Sequence, residues 1–204
     1  MTMWIAACPG QGSQSAGFLG PWLTEVQGFR SELEKLSSAS GLDLVSLGTT
    51  ADDAQIKDTA IAQPLIVASS IAAYRTLFRD SPVAGVLGHS VGEFAAAAIA
   101  GVISDEEAIR LVAIRARAMA KAAAEQPTSM AAILGGDSTE VMLAVREIGL
   151  EIANHNGAGQ LVAAGDKGKI ALLIASPPTK TRVIELKVAG AFHTSYMDSA
   201  RLEL

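Results

Sequence analysis

A serine bracketed by glycines, Gly88-His89-Ser90-Val91-Gly92, separates the apolar run Val83-Ala84-Gly85-Val86-Leu87 from the alanine-rich segment Glu93 to Ala100. That order predicts a short buried strand, a tight turn and a helix. A turn this sharp pushes its central side chain out at the head of a sheet, and the flanking glycines remove Cβ atoms that would collide in the bend. A helix starting just after the serine aims free backbone N–H groups at whatever the serine attacks. Ser90 is therefore the candidate nucleophile, set against an ordinary glycine-rich turn.

The rest of the chain reads as α/β. Trp4 to Ala7 is an expected strand, leading into the loop Pro9-Gly10-Gln11-Gly12-Ser13-Gln14. Helices are expected from Trp22 to Ser37 and from Pro64 to Phe78, with Pro64 in a first helical turn. Gly101 should stop the helix after the serine. Ser104-Asp105-Glu106-Glu107 is a capping box opening a helix from about Asp105 to Ala124. A boundary is expected at Glu125-Gln126-Pro127-Thr128. Beyond it come a strand (130–134), a helix (138–148), two short strands (151–153 and 161–164) around the loop Asn154-His155-Asn156-Gly157-Ala158-Gly159, a helix (169–175) and a strand (182–188). This is the β-α-β-β-α-β order of a ferredoxin-like unit. The domain reading is a larger α/β domain, residues 1–126 and 189–204, interrupted by a small insertion, residues 127–188.

Composition narrows the chemistry. The 204 residues carry a net charge of −5, which argues against general nucleic-acid binding. No apolar run approaches the roughly 18 residues of a spanning helix, and the start of the chain lacks the basic residues of a signal peptide. Cys8 is the single cysteine, so no intrachain disulfide forms; a buried thiol in a reducing cytoplasm fits. Gly10-Gln11-Gly12 is a weak dinucleotide fingerprint, because Ser15 occupies the third glycine position.

Arg115 is the most telling charge. At 100° per residue, Ala108, Leu111, Val112, Met119 and Ala122 form one apolar stripe with Arg115 in its middle, while Arg110, Arg117 and Lys121 lie opposite. A guanidinium cannot shed its charge and is rarely buried without an anion. Two readings stay open: an internal salt bridge or snorkelling, and a fork for a substrate carboxylate. Among the histidines, His89 should point into packing beside Ser90, and His155 should serve as a loop hydrogen-bonder. His193, ending a strand-like run after Phe192, is the expected base. No carboxylate between serine and histidine stands out, so a Ser–His dyad is expected in preference to a triad. From Asp166 to Lys187 the chain carries a local net charge of +3, read equally as a docking patch or a solvated face.

Gly10-Gln11-Gly12-Ser13-Gln14, Gly88-His89-Ser90-Val91-Gly92-Glu93, Arg115, Asn156-Gly157-Ala158-Gly159-Gln160 and Gly190-Ala191-Phe192-His193 occur together and in order. In this the chain resembles the malonyl-CoA:acyl carrier protein transacylases, over essentially its whole length. The resemblance implies a hydrolase-like α/β fold with a ferredoxin-like insertion. It implies Ser90 as acyl acceptor, His193 as base, and backbone N–H groups of Gln11 and Val91 as the oxyanion hole. It further implies Arg115 on the malonyl carboxylate, with Asn156, Phe192 and Gln63 supporting the pocket. Malonyl-CoA and acyl carrier protein are the implied substrate and partner, with no cofactor, metal, nucleic acid or membrane. Family sequences continue past their Phe-His motif, whereas this chain stops at Arg201-Leu202-Glu203-Leu204. An incomplete large domain with uncovered apolar surface is therefore expected. The rival readings are a serine esterase or thioesterase on the same turn, and a non-catalytic fragment that binds carrier protein.

Overall fold

The computed structural model describes residues 4–79, 81 and 83–204. Met1–Met3, which precede the first expected strand, lie outside the described residues. The chain divides into two compact units, residues 1–117 and 118–204, with the long capped helix running from one into the other.

In the first unit, β1 (Trp4–Cys8) pairs in parallel with β2 (Val83–Gly88), from Trp4↔Val83 to Cys8↔Gly88. The two C-terminal strand ends are thus level, and the glycine-rich loop and the serine turn leave the sheet at the same edge. Between the strands run α1 (Gly20–Glu25), α2 (Phe29–Ser40), α3 (Leu44–Thr50) and α4 (Thr59–Leu77). The expected single helix from Trp22 to Ser37 is two, because Gly28 adopts a left-handed φ of 87° at the start of α2 and breaks the run. Helix α4 begins five residues earlier than expected. Asp58 accepts the Ala60 N–H and caps it at Thr59, leaving Pro64 inside the helix, where it cannot donate to the Ala60 carbonyl. α4 is buried almost all round, with Ala62 to Ala68, Ile71 and Ala72 inaccessible, as befits a helix apolar on every face. Phe29, Leu33 and Leu36 of α2, Ala95 of α5 (Gly92–Ile99), and Ala108, Ile109 and Val112 of α6 (Asp105–Glu125) share its core.

The strand before the serine is not buried as expected. Leu87 is 53 % exposed, as are Trp4 and Ile5 on the neighbouring β1 at 56 % and 63 %, because a two-stranded sheet has too few neighbours to cover both faces. Cys8 is buried as expected, and burial pushes its thiol above the usual value.

In the second unit, β3 (Thr128–Gly135), α7 (Ser138–Glu147), β4 (Glu151–Gly157), β5 (Gln160–Asp166), α8 (Lys167–Ala175) and β6 (Thr181–Glu185) follow the β-α-β-β-α-β order. The strands form an antiparallel sheet ordered β4-β5-β3-β6, the ferredoxin-like arrangement. Asp137 and Asp166 cap α7 and α8, accepting N–H groups two or three residues on; the Asp166 cap starts α8 at Lys167, earlier than expected. The strand expected to reach Val188 ends at Glu185, where Leu186 donates to the Met130 carbonyl. Asn154, His155 and Asn156, expected in a loop, lie on β4. The turn is confined to Gly157-Ala158-Gly159, all three with positive φ.

Period-two alternation packs both faces of this sheet. Ala131, Ile133, Leu161 and Ala163 meet Val141, Val145, Ile170 and Leu173 of the two helices. Met130, Val162 and Ala164 face the other way, clustering with Ala118, Met119 and Ala122 of α6 and with Ala191, Phe192, Met197 and Ala200. The last two come from the turn and short helix α9 (Asp198–Arg201) that end the chain.

Helix α5 ends as its glycine predicts. Gly101 has φ 74°, its N–H bonds to Ala98 and that of Val102 to Ala97, a Schellman closure. A Cβ at Gly101 meets nothing within 4 Å, whereas one at Gly92 overlaps the Cys8 carbonyl and comes within 2.6 Å of that of Pro9. Gly101→Ala should therefore cost about 1 kcal/mol, from φ alone. Gly92→Ala should cost about 3 kcal/mol or more, from backbone collision. Urea unfolding of the two variants checks the ranking; equal losses would mean that the turn can back away from β1.

Candidate active site

The serine turn is held by backbone contact. His89 N–H donates to the Cys8 carbonyl at 3.0 Å, tying the turn to the end of β1. The carbonyls of His89, Ser90 and Val91 accept from Gly92, Glu93 and Phe94 at 3.0, 3.1 and 3.2 Å, winding directly into α5. A Cβ at Gly88 would overlap backbone atoms of Gly92 and Glu93, so both glycines of the motif are required by close approach. Ser90 itself sits at φ 53°, a left-handed conformation costing a non-glycine residue about 1–2 kcal/mol. Val91 is the N-cap of α5 and is buried. His89 is exposed, contrary to the expectation that it packs inward. Its ring lies over Gly10, where a Cβ would come within 2.7 Å of Nδ1.

The glycine-rich loop after β1 folds on itself and onto the segment before α4. Ser13 Oγ donates to the Gly10 carbonyl, Gly12 N–H to Gln14 Oε1, and Gln14 Nε2 to the Ile56 carbonyl. This sets Gln11 beside α4, where its Nε2 donates to Thr59 Oγ1 at 3.3 Å and its Oε1 accepts from Gln63 Nε2 at 3.3 Å.

Arg115 reaches the same place from α6. Ser104 Oγ accepts the Glu107 N–H at 3.1 Å, the cap expected from sequence. Arg75 of α4 then clamps that end. It donates to both carboxylate oxygens of Asp105, at 3.0 and 2.8 Å, and to the Ala98 carbonyl at 2.9 Å. The Asp105 bond raises the Arg75 pKa further. This clamp was not anticipated from sequence, since nothing local links residues thirty apart. Ten residues on, Arg115 Nη1 donates to Gln63 Oε1 at 2.6 Å and Nη2 lies 3.4 Å from Ser90 Oγ. Burial pushes the guanidinium below its usual pKa, opposed by the charge of Glu93. Among the described residues no carboxylate forms an ion pair with Arg115. The internal salt bridge is thereby set aside.

Ser90, Val91, Gln11, Gln63 and Arg115 thus lie together in the first unit. Thr59 joins them unanticipated, although its spacing of four from Gln63 puts both on one face of α4. The other candidates belong to the second unit. His193 is exposed at φ 60° in a turn where Thr194 Oγ1 donates to the Ala191 carbonyl and Ala191 N–H to Thr128 Oγ1. Phe192 is buried in the adjoining cluster. Asn156 is exposed at an irregularity in the β4–β5 pairing, and His155 is paired on the strand opposite Leu161. Among the described residues no group of three or more His, Cys, Asp or Glu is placed to hold a metal ion, and no helix is long and apolar enough to cross a membrane.

A strained serine between a parallel strand and a helix, with an arginine at its hydroxyl, places the chain among α/β proteins that carry a serine at a strand-to-helix turn. The acyl transferase domain family profile matches residues 4–204, and the chain belongs to that family. It is 51 % identical over 196 residues to the malonyl CoA-acyl carrier protein transacylase of Mycobacterium tuberculosis, covering 94 % of this chain and 65 % of that protein. The chain thus spans just under two thirds of the length of the curated relatives it matches. The crystal structure of MCAT from the same organism superposes with a TM-score of 0.90 at 49 % identity, over 98 % of this chain and 67 % of that one. A holo complex of a type II PKS acyl-carrier protein with its malonyl-transacylase contains a chain matching at TM-score 0.87 and 29 % identity, over 98 % of this chain and 67 % of that one.

The strain at Ser90 is separable from its chemistry. Ser90→Gly relieves the left-handed φ, whereas Ser90→Ala keeps it, so the glycine variant should be the more stable of the two by about 1 kcal/mol. Thermal melts of the pair check this; an alanine variant as stable as the glycine one would show that the turn stores no strain.

Proposed function

We propose that this chain transfers a malonyl group from malonyl-CoA to the phosphopantetheine thiol of acyl carrier protein, through a malonyl–Ser90 intermediate. The observation that carries the reading is Arg115: a half-buried cation, 3.4 Å from Ser90 Oγ and in no ion pair with a carboxylate among the described residues. A malonyl thioester brings the missing carboxylate to the nucleophile. A neutral ester does not, which disfavours the esterase reading.

In the first half-reaction His193 takes the Ser90 proton as Oγ bonds to the thioester carbon. Backbone N–H groups of Val91 and Gln11 receive the developing oxyanion. The C–S bond then breaks, and the thiolate of CoA leaves with the proton held by His193. In the second, the carrier thiol gives its proton to His193 and its sulfur attacks the same carbon, and Ser90 Oγ leaves and is reprotonated. Phe192 and Asn156 are assigned supporting roles near the base. The residue roles rest on the motif order and on the names of the relatives, among them a transacylase in complex with its carrier protein. The same reading assigns residues 1–126 and 189–204 to the acyltransferase domain and 127–188 to its insertion. For the acidic carrier protein, exposed Lys167, Lys180, Arg182 and Lys187 are the candidate contacts, while Lys169 is engaged with the Gly149 carbonyl.

Intact mass after mixing with malonyl-CoA should show one malonyl adduct, lost in Ser90→Ala; an adduct that persists in that variant overturns the nucleophile. His193→Ala should slow acylation by about two to four orders of magnitude. Arg115→Ala should cost malonyl transfer about 2–5 kcal/mol and shift preference toward acetyl-CoA, which has no free carboxylate. Equal losses for the two donors would overturn the carboxylate role.

A further inference from the structure

Gln63 is 2 % exposed on a helix whose buried residues are otherwise apolar except for Thr59. A buried primary amide is retained only where its donors and acceptor are met. Here the way they are met fixes a direction. Arginine has donors and no acceptor, so the 2.6 Å hydrogen bond from Arg115 Nη1 turns Gln63 Oε1 toward the guanidinium and its Nε2 away. Gln11 must then offer Oε1 to Gln63 and Nε2 to the Thr59 hydroxyl. One cation thereby orients two amides in series, each with its oxygen toward the charge. The series ends on Gln11, whose N–H is assigned to the oxyanion hole.

The choice of glutamine matters electrostatically. A glutamate of the same size would bond Arg115 equally well but neutralise it. Glutamine fills the same hydrogen-bonding position and leaves the positive charge uncompensated for an incoming anion. We infer that Gln63 is a positioning residue that sets acyl-group selectivity: it occupies Nη1 of Arg115, holds the other donors toward Ser90, and keeps the guanidinium free of an internal counter-charge. The inference rests on the proposed reading of Arg115 as the partner of a substrate carboxylate.

Two variants of the full chain test it. Gln63→Glu should reduce the ratio of malonyl to acetyl loading on Ser90, both read in the same preparation, by about tenfold or more, the effect of an internal carboxylate competing for one charge-assisted hydrogen bond. Gln63→Met, similar in volume, removes the anchor without adding charge. In ¹⁵N NMR of arginine side chains, with Arg115 assigned by its absence in Arg115→Lys, the wild type should show restricted rotation of the guanidinium and Gln63→Met should show averaging. Wild-type selectivity in Gln63→Glu, or a guanidinium equally restricted in Gln63→Met, overturns the inference. A wild-type chain that takes up no malonyl group would instead overturn the transferase reading; the NMR comparison then still decides whether Gln63 restrains Arg115.

Discussion

Two backbones touch at the head of the first unit, and the site depends on that contact. The start of α5 presses against the carbonyls of Cys8 and Pro9 closely enough that only glycine fits at position 92. Glycine at 88 lets the chain reverse against the same helix start. Given those two approaches, the strand-to-helix turn has little freedom left, and Ser90 is driven into a conformation that a serine would not choose. The backbone strain at Ser90 is thus a by-product of packing between main chains.

Charge placement is built on that frame from the opposite direction. α6 is anchored at its first turn by the Ser104 cap and the Arg75–Asp105 clamp, well away from the serine. Its rise then carries Arg115 back to the hydroxyl. Burying a guanidinium costs several kcal/mol unless hydrogen bonds offset the lost hydration. Here Gln63 supplies one from a neutral amide. The cation is partly desolvated and held by a neutral partner.

Sequence reasoning reached these features where the signal was local. Gly88 and Gly92, the Ser104 cap, the Schellman glycine at 101 and Arg115 in its apolar stripe each announce themselves within a few residues. The β-α-β-β-α-β order was equally legible, since its strands and helices alternate at short range. Where distant contacts or turn details decide, the local signal misleads. Gly28 splits a helix that periodicity joins, and Asp58 starts α4 ahead of its proline. Asn154 to Asn156 look polar enough for a loop yet pair on β4, because a three-residue positive-φ turn suffices to reverse the chain. The strand before Ser90 reads as buried from composition, but burial is set by how many neighbours a sheet has. The Arg75–Asp105 clamp has no sequence signature at all.

The sheet of the second unit is sandwiched, with α7 and α8 on one face and the segment around Phe192 on the other. Its central strands therefore act as a spacer whose thickness is set by the volumes of Met130, Val162 and Ala164. The turn bearing His193 rests on that spacer through Ala191 and Phe192. Changes at those apolar positions can then raise or lower the imidazole on the sheet by fractions of an ångström while preserving the fold. Core volume is thus a lever on where that turn sits, one that works without any substitution on the turn itself.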